Sequence, residues 1–216
     1  MKESLDALAR AVMEGLEEEV VARCRKSLEG GVEPREVLRG GLCRGMRLAG
    51  ELYERHEYFL PELLLASEAM QAGMHAVAPA LRPSESAEGE GATVVLGVVK
   101  GDVHEIGKNL VKVMLEAEGF RVVDLGVDVP PERFVEELHK RGAAILALST
   151  MMTTTLPAMR RTVELARETE PCPLVIVGGA PLTPALAADL GADGYGESAA
   201  SAPSIIRALV GSGPES

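Results

Sequence analysis

Apolar residues recur every three or four positions up to about residue 83, as they do along amphipathic helices. Turn residues divide this part into four segments: Gly30 and Gly31 end the second, Pro34 begins the third and Pro61 begins the fourth. Four helices joined by short turns predict an antiparallel bundle over residues 1–83. The apolar faces are formed by Leu5, Leu8, Ala9, Val12, Leu16, Val20, Cys24, Leu28, Val37, Leu38, Cys43, Met46, Leu48, Leu52, Tyr53, Leu63, Leu64, Met70, Met74, Val77 and Leu81.

The pattern changes after a stretch of small and polar residues, 84–91, which we interpret as a linker. From residue 92 to 216, short apolar runs alternate with helical patterns. The strands are predicted at 93–98, 121–125, 143–148, 174–177 and 193–195, and the helices at 107–118, 132–141, 156–169, 183–190 and 197–210. Continuously apolar strands are typical of a parallel sheet that is buried on both faces. This half is therefore predicted to be α/β: a flavodoxin-like (Rossmann-like), doubly wound sheet of five strands in the order 2-1-3-4-5.

Composition and charge exclude several classes of function. The 216 residues carry a formal net charge of -11, which argues against nucleic-acid binding because phosphates would not be neutralised. No apolar run approaches the ~18 residues of a membrane span, and the start of the chain lacks the basic and apolar regions of a signal peptide. Cys24, Cys43 and Cys172 fit neither a disulfide framework nor a metal-binding pair. We therefore expect a cytoplasmic protein with neither a membrane nor a nucleic-acid partner.

The stretch from Asp102 to Asn109 carries the strongest chemical signal. It joins the first predicted strand to the helical pattern that begins near Leu110, at the edge of the sheet where open α/β folds bind ligands. His104 follows Asp102 by two residues. A carboxylate that reaches one imidazole nitrogen fixes the tautomer and strengthens the other nitrogen as a metal ligand. Gly107 leaves room for a bulky group beside the backbone.

Two further loops are predicted to meet this one at the same edge. Residues 149–155 offer hydroxyls and two thioethers, and residues 178–181 offer mainly bare backbone. No nucleophile with an adjacent base is evident among them. The three loops therefore favour holding a large ligand by shape and hydrogen bonds over direct attack on a substrate.

These elements, Asp102-x-His104-x-x-Gly107, then Ser149-x-Met151, then Gly178-Gly179, resemble the cobalamin-binding signature of corrinoid methyl-carrier proteins. The usual middle element has Leu where this chain has Met151. Residues 57–65 and 70–74 resemble the helical cap of that family, and residues 191–196 resemble its C-terminal end. The resemblance therefore covers nearly the whole chain. It extends to the cobalamin module of methionine synthase, which lies within a longer protein.

The resemblance implies a role for individual residues. His104 would be the lower ligand of cobalt, replacing the dimethylbenzimidazole of the cofactor, and Asp102 would bond the other ring nitrogen. A hydroxyl of the third loop, for which we select Thr155, would extend this relay. The displaced nucleotide tail would thread a slot, and Phe59 and Leu63 would cover the upper face. The slot would be lined by Gly97, Ser149, Thr153, Gly178 and Gly179, and the remaining cofactor contacts are expected from Glu105, Ile106, Gly107 and Met151.

The function implied is that of a methyl carrier. The protein would bind cobalamin base-off with His104 on cobalt and carry a methyl group between a substrate methyltransferase and an acceptor methyltransferase that uses tetrahydrofolate or coenzyme M. A corrinoid reactivation protein would be a further partner, and little activity is expected of the chain alone. Methanol, methylamines, glycine betaine and methoxy-aromatics are all possible methyl donors in the family.

Two other cobalamin functions are the alternatives. The subunit of an adenosylcobalamin-dependent mutase carries the same histidine motif but lacks a helical cap of this kind. A cobalamin-binding sensor carries a DNA-binding domain, for which this chain has neither the room nor the charge.

Simpler interpretations of single residues stay open at this point. Asp102 can cap the following helix, residues 153–155 can cap the next one, and Gly178-Gly179 can form only a tight turn. The run of glutamates at 17–19 is expected to be a solvated helix face. We expect packing or surface positions, without a role as ligand, for His56, His75, His139, Cys24, Cys43, Met70 and Met74.

Overall fold

The structure is a computed structural model that describes residues 2–80 and 91–211. The chain forms two compact units, one helical and one built around a sheet. Apart from Gly91, the predicted linker at 84–91 lies outside the described residues, as does Leu81 at the end of the predicted fourth helix. None of the described helices is long and apolar enough to cross a membrane.

The helical unit contains the four segments that the apolar pattern predicts. The first two are α1 (Lys2–Met13) and α2 (Glu17–Glu29). The third is made of α3 (Pro34–Glu36), a π-helix (Val37–Cys43) and α4 (Arg44–Glu54). The fourth is α5 (Leu60–Val77), and a 3-10 turn (Ala78–Ala80) follows it. Helix α1 packs against α2 and α4, and α5 packs against the same two helices. The thiols of Cys24 and Cys43 are buried in these contacts, and burial raises the pKa of both to about 11.

Glycines set the close approach of the third segment to α1. A Cβ on Gly41 would lie 2.4 Å from the Leu8 side chain, and a Cβ on Gly45 would lie 2.5 Å from the carbonyl oxygen of Ala9. The π-helix, which the apolar pattern does not reveal, occupies this stretch of the third segment. The spacing of apolar residues predicts a helix here but does not distinguish a π-helix from an α-helix over seven residues.

The second unit is a parallel sheet with helices on both faces. Its elements are β1 (Thr93–Val98), α6 (Ile106–Ala117), β2 (Arg121–Asp124), α7 (Pro131–Arg141), β3 (Ile145–Ser149), a 3-10 turn (Thr153–Thr155), α8 (Leu156–Arg167), β4 (Leu174–Gly178), α9 (Pro184–Asp189), β5 (Gly194–Gly196) and α10 (Ala202–Gly211). The strand order is β2-β1-β3-β4-β5, and every pair is parallel. The predicted fold class and strand order are therefore confirmed.

Alternate residues of the central strands point to two separate cores. Val95, Leu146 and Val175 face Phe134 of α7 and Met159 of α8. The neighbouring residues on each strand belong to the other core, with side chains from α6 and α10; its members include Val94, Ile145, Ile176, Leu115 and Ile206. Because both faces are covered, the strands are apolar throughout, as the sequence pattern indicates.

The last helix begins later than predicted, at Ala202 rather than near residue 197. The backbone N–H of Ser201 donates to the Ser198 hydroxyl, and the backbone N–H of Ser198 donates to the Ser201 hydroxyl. Serine side chains that bond nearby backbone groups compete with a helix. The helical prediction was therefore wrong over residues 197–201.

Candidate functional site

Asp102 and His104 lie together at the carboxyl edge of the sheet, in the loop that follows β1. The side chain of Asp102 is fully buried, whereas that of His104 is 56% exposed. Asp102 Oδ1 lies 2.7 Å from His104 Nδ1 and also accepts the backbone N–H of His104 at 3.0 Å. No described residue bonds the other ring nitrogen, Nε2. The histidine is therefore held from one side and open on the other.

The second carboxylate oxygen of Asp102 binds the loop that follows β3. The Thr150 hydroxyl donates to Oδ2 at 2.8 Å, and the backbone N–H of Met151 donates to the same oxygen at 2.6 Å. Burial of Asp102 acts to raise its pKa, but the hydrogen bonds from Met151, His104 and Thr150 outweigh it and lower the pKa to about 2. Asp102 is therefore ionised at neutral pH, and a His104 Nδ1–H that donates to it leaves Nε2 as the free acceptor.

Thr150, and not Thr155, contacts the carboxylate. Thr155 stands one step further out, with its hydroxyl oxygen 2.5 Å from that of Thr150 and 2.8 Å from the carbonyl oxygen of Met152. Our selection of Thr155 thus identified a member of the network but missed its first link. The only available signal was that Thr150 is the first hydroxyl after β3, on the strand beside β1.

Small residues form a row across the carboxyl ends of the strands. Ser149 pairs in register with Val98 on one side and with Gly178 on the other, and Gly178 pairs with Gly196. By strand alternation, Ser149 and Gly178 point to the face that α6 and α10 cover. Ser149 and Gly178 were predicted to line a slot for the cofactor tail, and the structure does bring them side by side. Gly196 joins them, although the sequence analysis did not select it.

The other three predicted slot residues each have a different environment. Gly97 points to the opposite face of the sheet, where a Cβ would come within 2.7 Å of the Phe134 ring. Gly179 has a φ of +127°, and a Cβ there would lie 1.7 Å from the carbonyl oxygen of Thr150. Thr153 is exposed beside an open groove between α8 and α9. Gly97 therefore points away from the face that Ser149 and Gly178 share, and Gly179 has a backbone reason to be glycine; that Gly179 and Thr153 line the slot stays a prediction.

The surface around His104 is apolar and open. Four exposed large hydrophobic residues lie in the two loops that hold the Asp102–His104 pair and at the start of α6: Val103, Ile106, Met151 and Met152. Glu105 and Gly107 are also exposed, and a Cβ on Gly107 would meet nothing within 4 Å. We name the four apolar residues the apolar collar. Such a surface suits a large, flat and largely apolar ligand.

The two residues predicted to cover the cofactor differ in accessibility. Phe59, directly before α5, is 66% exposed, whereas Leu63 in the first turns of the same helix is only 1% exposed. An exposed aromatic ring is available for a ligand. Leu63 is part of the core in this structure, so of the two only Phe59 is free to make that contact.

Comparison with known proteins gives this constellation a family. The B12 binding domain family matches residues 92–204, and a second B12 binding domain family matches residues 4–78. The chain belongs to the corrinoid proteins, and its cofactor is cobalamin. It is similar to dimethylamine corrinoid protein 1 of Methanosarcina acetivorans, with 41% identity over 97% of this chain and 98% of the relative. Trimethylamine corrinoid protein 1 of the same organism is 39% identical over 97% of this chain and 98% of the relative.

Two solved structures are similar over the whole described architecture. The methanol:cobalamin methyltransferase complex MtaBC from Methanosarcina barkeri contains a chain with a TM-score of 0.84 and 32% identity, covering 99% of this chain and 81% of that one. A cobalamin-binding protein from Desulfitobacterium hafniense has a TM-score of 0.73 and 33% identity, covering 94% of this chain and 97% of that one. The helical and sheet units thus correspond to a combination already known in cobalamin-binding proteins.

Proposed function

We propose that this protein carries a methyl group on cobalamin and that His104 is the lower ligand of the cobalt. The observation that carries the proposal is the Asp102–His104 pair, in which one ring nitrogen is bonded to a buried carboxylate and the other is free. Cobalamin brings ligands of its own for cobalt, so His104 would be the one residue that the protein supplies to the metal. Carboxylate–histidine pairs of this kind are the usual support for a metal-ligating histidine.

The residues around the pair fit the rest of the cofactor. The apolar collar would suit the largely apolar face of a corrin ring, and the row of Ser149, Gly178 and Gly196 lacks large side chains where we propose that the nucleotide tail passes. Missing side chains allow a ligand to approach the backbone closely. Exposed Phe59 is the residue we assign to the upper face.

The protein contributes orientation and control of a proton. When bound, cobalamin supplies a metal centre that accepts a methyl group and gives it up again. Ionised Asp102 holds the proton of His104 on Nδ1, which directs the Nε2 lone pair outward. The 2.7 Å contact with Asp102 would keep the ring in this orientation while cobalamin is bound.

A methyl carrier requires partner enzymes that load and unload the methyl group. We propose that one methyltransferase loads the protein from a small methylated substrate and that a second removes the methyl group to tetrahydrofolate or coenzyme M. A reactivation protein would restore the cofactor after oxidation. The names of the relatives, which include dimethylamine and trimethylamine corrinoid proteins, support methylated amines as the first donors to assay.

Isotope labelling tests the ligand directly. The protein is prepared with natural nitrogen and with 15N-histidine, loaded with cobalamin and reduced to the cobalt(II) form. Because 14N and 15N split the cobalt electron paramagnetic resonance lines into three and two, a change from triplets to doublets on labelling identifies a protein nitrogen. His104→Ala should abolish the change. His139→Ala, an exposed histidine of α7 bonded only to its own helix, is the control and should retain it.

Triplet splitting that persists in the 15N-histidine protein would show that the nitrogen on cobalt comes from dimethylbenzimidazole and not from histidine. That result would contradict the proposal. The carrier role is tested separately with the reduced protein and methyl iodide. A methylated product that is stable until an acceptor methyltransferase is added supports a carrier. Tight adenosylcobalamin binding followed by homolysis would instead support the mutase alternative.

A further inference from the structure

Lys108 is a buried cation with no role in the site described so far. It lies just after the loop of residues 101–105 that carries His104, which we call the cobalamin loop. It lies in the first turn of α6 and is only 2% exposed, and its Nζ lies 2.5 Å from Oδ2 of Asp124 at the end of β2. A positive charge is unfavourable near a helix N-terminus. Replacing a buried ion pair by neutral residues often leaves stability unchanged or improves it. Stability alone therefore does not account for Lys108, and the pair has a second effect through the segments that it joins.

The segment from Asp124 to Asp128 is also hydrogen-bonded to the cobalamin loop at a second place, through Asp128. Asp128, in left-handed conformation with a φ of +53°, accepts the backbone N–H of Gly101 on Oδ1 at 2.7 Å. Its own backbone N–H donates to the carbonyl oxygen of Asp102 at 2.9 Å. The other oxygen of Asp124 accepts the N–H of Gly126 at 2.9 Å, which fixes the turn between the two aspartates.

These contacts bracket His104. The loop between Gly101 and the first turn of α6 is attached to the same short segment at both ends, through Asp128 before the histidine and through Lys108 after it. Residues 102–105 have no regular secondary structure of their own. The direction of the ring therefore depends on where the two ends of the loop are held, in addition to its bond with Asp102.

We propose that Asp124, Asp128 and Lys108, which we call the loop anchors, are positioning residues that aim His104 at the cobalt. The inference rests on the proposed role of His104 as a ligand. The hydrogen bonds of the anchors go to each other and to backbone groups of the loop and of their own segment, and not to the His104 ring. They act by holding the ends of the loop, because a ligating side chain must stay within about 0.5 Å of its productive position. Loss of the anchors should therefore weaken the bond from His104 and leave the fold intact.

The main test is the double variant Lys108→Met/Asp124→Asn. It removes both charges of this pair together, and Asn keeps an acceptor for Gly126. Lys112, whose Nζ lies 4.0 Å from the same carboxylate oxygen, is partly exposed to solvent and so tolerates the loss of that charge. We expect the cofactor-free variant to have nearly the same free energy of unfolding as the parent. The equilibrium constant for His104 binding to cobalt(II), measured by paramagnetic resonance, should fall about tenfold, as it does when other residues that support a metal ligand are replaced. Glu137→Gln, which removes a buried carboxylate whose ion pairs all lie within α7, is the control and should not change that constant.

A second pair of variants tests the other anchor and guards against misfolding. Asp128→Asn keeps an acceptor for Gly101 and tolerates left-handed conformation, so it should preserve ligation. Asp128→Ala removes the acceptor and should weaken ligation. A readout without cofactor is the solvent exchange of the His104 ring N–H, measured by nuclear magnetic resonance. We expect exchange to be about tenfold faster in the double variant and in Asp128→Ala, as the bond to Asp102 opens more often.

The outcomes separate this inference from the proposed function. A parent protein with no histidine nitrogen on cobalt overturns the proposed function and this inference with it. A parent with histidine on cobalt, together with parent-like ligation and ring exchange in the double variant and in Asp128→Ala, overturns the loop anchors alone. Should the double variant fail to fold, the comparison of Asp128→Asn with Asp128→Ala decides.

Discussion

Thr150→Val is the substitution that most directly tests the hydrogen-bond network behind His104. Valine has nearly the shape of threonine, so the change removes one hydroxyl from a fully buried position and leaves the packing in place. A hydrogen bond to a charged group contributes about 1.5–3 kcal/mol. Asp102 keeps three donors, from the ring and backbone of His104 and the backbone of Met151. We therefore expect the free energy of unfolding at neutral pH to fall by about 1.5–3 kcal/mol.

The same bond sets part of the acidity of Asp102. Its pKa is lowered from 3.8 to about 2 in the folded protein, so the ionised group stabilises the fold at neutral pH, and that contribution is lost as the pH falls from 3.8 to 2. The variant should raise the folded pKa of Asp102, because the Thr150 hydroxyl is one of the donors that lower it. The difference in stability between parent and variant should therefore shrink as the pH falls through this range.

Urea unfolding of the cofactor-free protein at several pH values measures both effects. The chain has no tryptophan, so far-ultraviolet circular dichroism is the appropriate signal. Thr153→Val, an exposed threonine of the same loop, is the matched control. If Thr150→Val were as stable as this control at pH 7, or if the deficit persisted unchanged below pH 2, the hydroxyl would not stabilise the ionised carboxylate and the reasoning would fail.

Three further substitutions probe the carboxyl edge of the sheet. Gly178→Leu should fold with a loss of stability, since its Cβ would lie 3.2 Å from the Gly196 carbonyl oxygen and that strand must shift slightly, and it should block cobalamin uptake in a spectroscopic titration. Normal uptake would mean that the tail lies elsewhere. Gly179→Ala should unfold at markedly lower urea, because its Cβ collides with Thr150 backbone and its φ is positive. Met151→Leu should change stability by less than about 0.5 kcal/mol, because the backbone N–H makes the bond; a larger loss would implicate the thioether.

Some contacts of the site residues could be predicted from the sequence and others could not. Asp102 and His104 are two residues apart on one loop, so their contact follows from local spacing and from the position of that loop at the end of β1. The Thr150 contact spans 48 residues and depends on β3 lying beside β1. With three consecutive threonines nearby, composition alone could not select the hydroxyl that reaches the carboxylate.

The glycines of the site also differ in how much the sequence reveals about their role. A glycine in the sequence says only that a side chain is missing, and a cofactor, a neighbouring ring or a backbone turn can each require its absence. Gly97 makes room for Phe134 on α7, Gly179 adopts a backbone that other residues rarely adopt, and Gly178 lies in the row of small residues beside Ser149. The strand register and the side of the sheet to which each residue points decide among these reasons.

The sequence by itself determined the kinds of elements, their order, the parallel sheet and the histidine loop, because each depends on periodicity or on short-range spacing. Only the tertiary structure decided which hydroxyl supports Asp102, which glycines leave open space, and that Lys108 and Asp128 hold the ends of the loop. Those contacts join residues from neighbouring strands and loops, and their geometry arises only when the strands are in register.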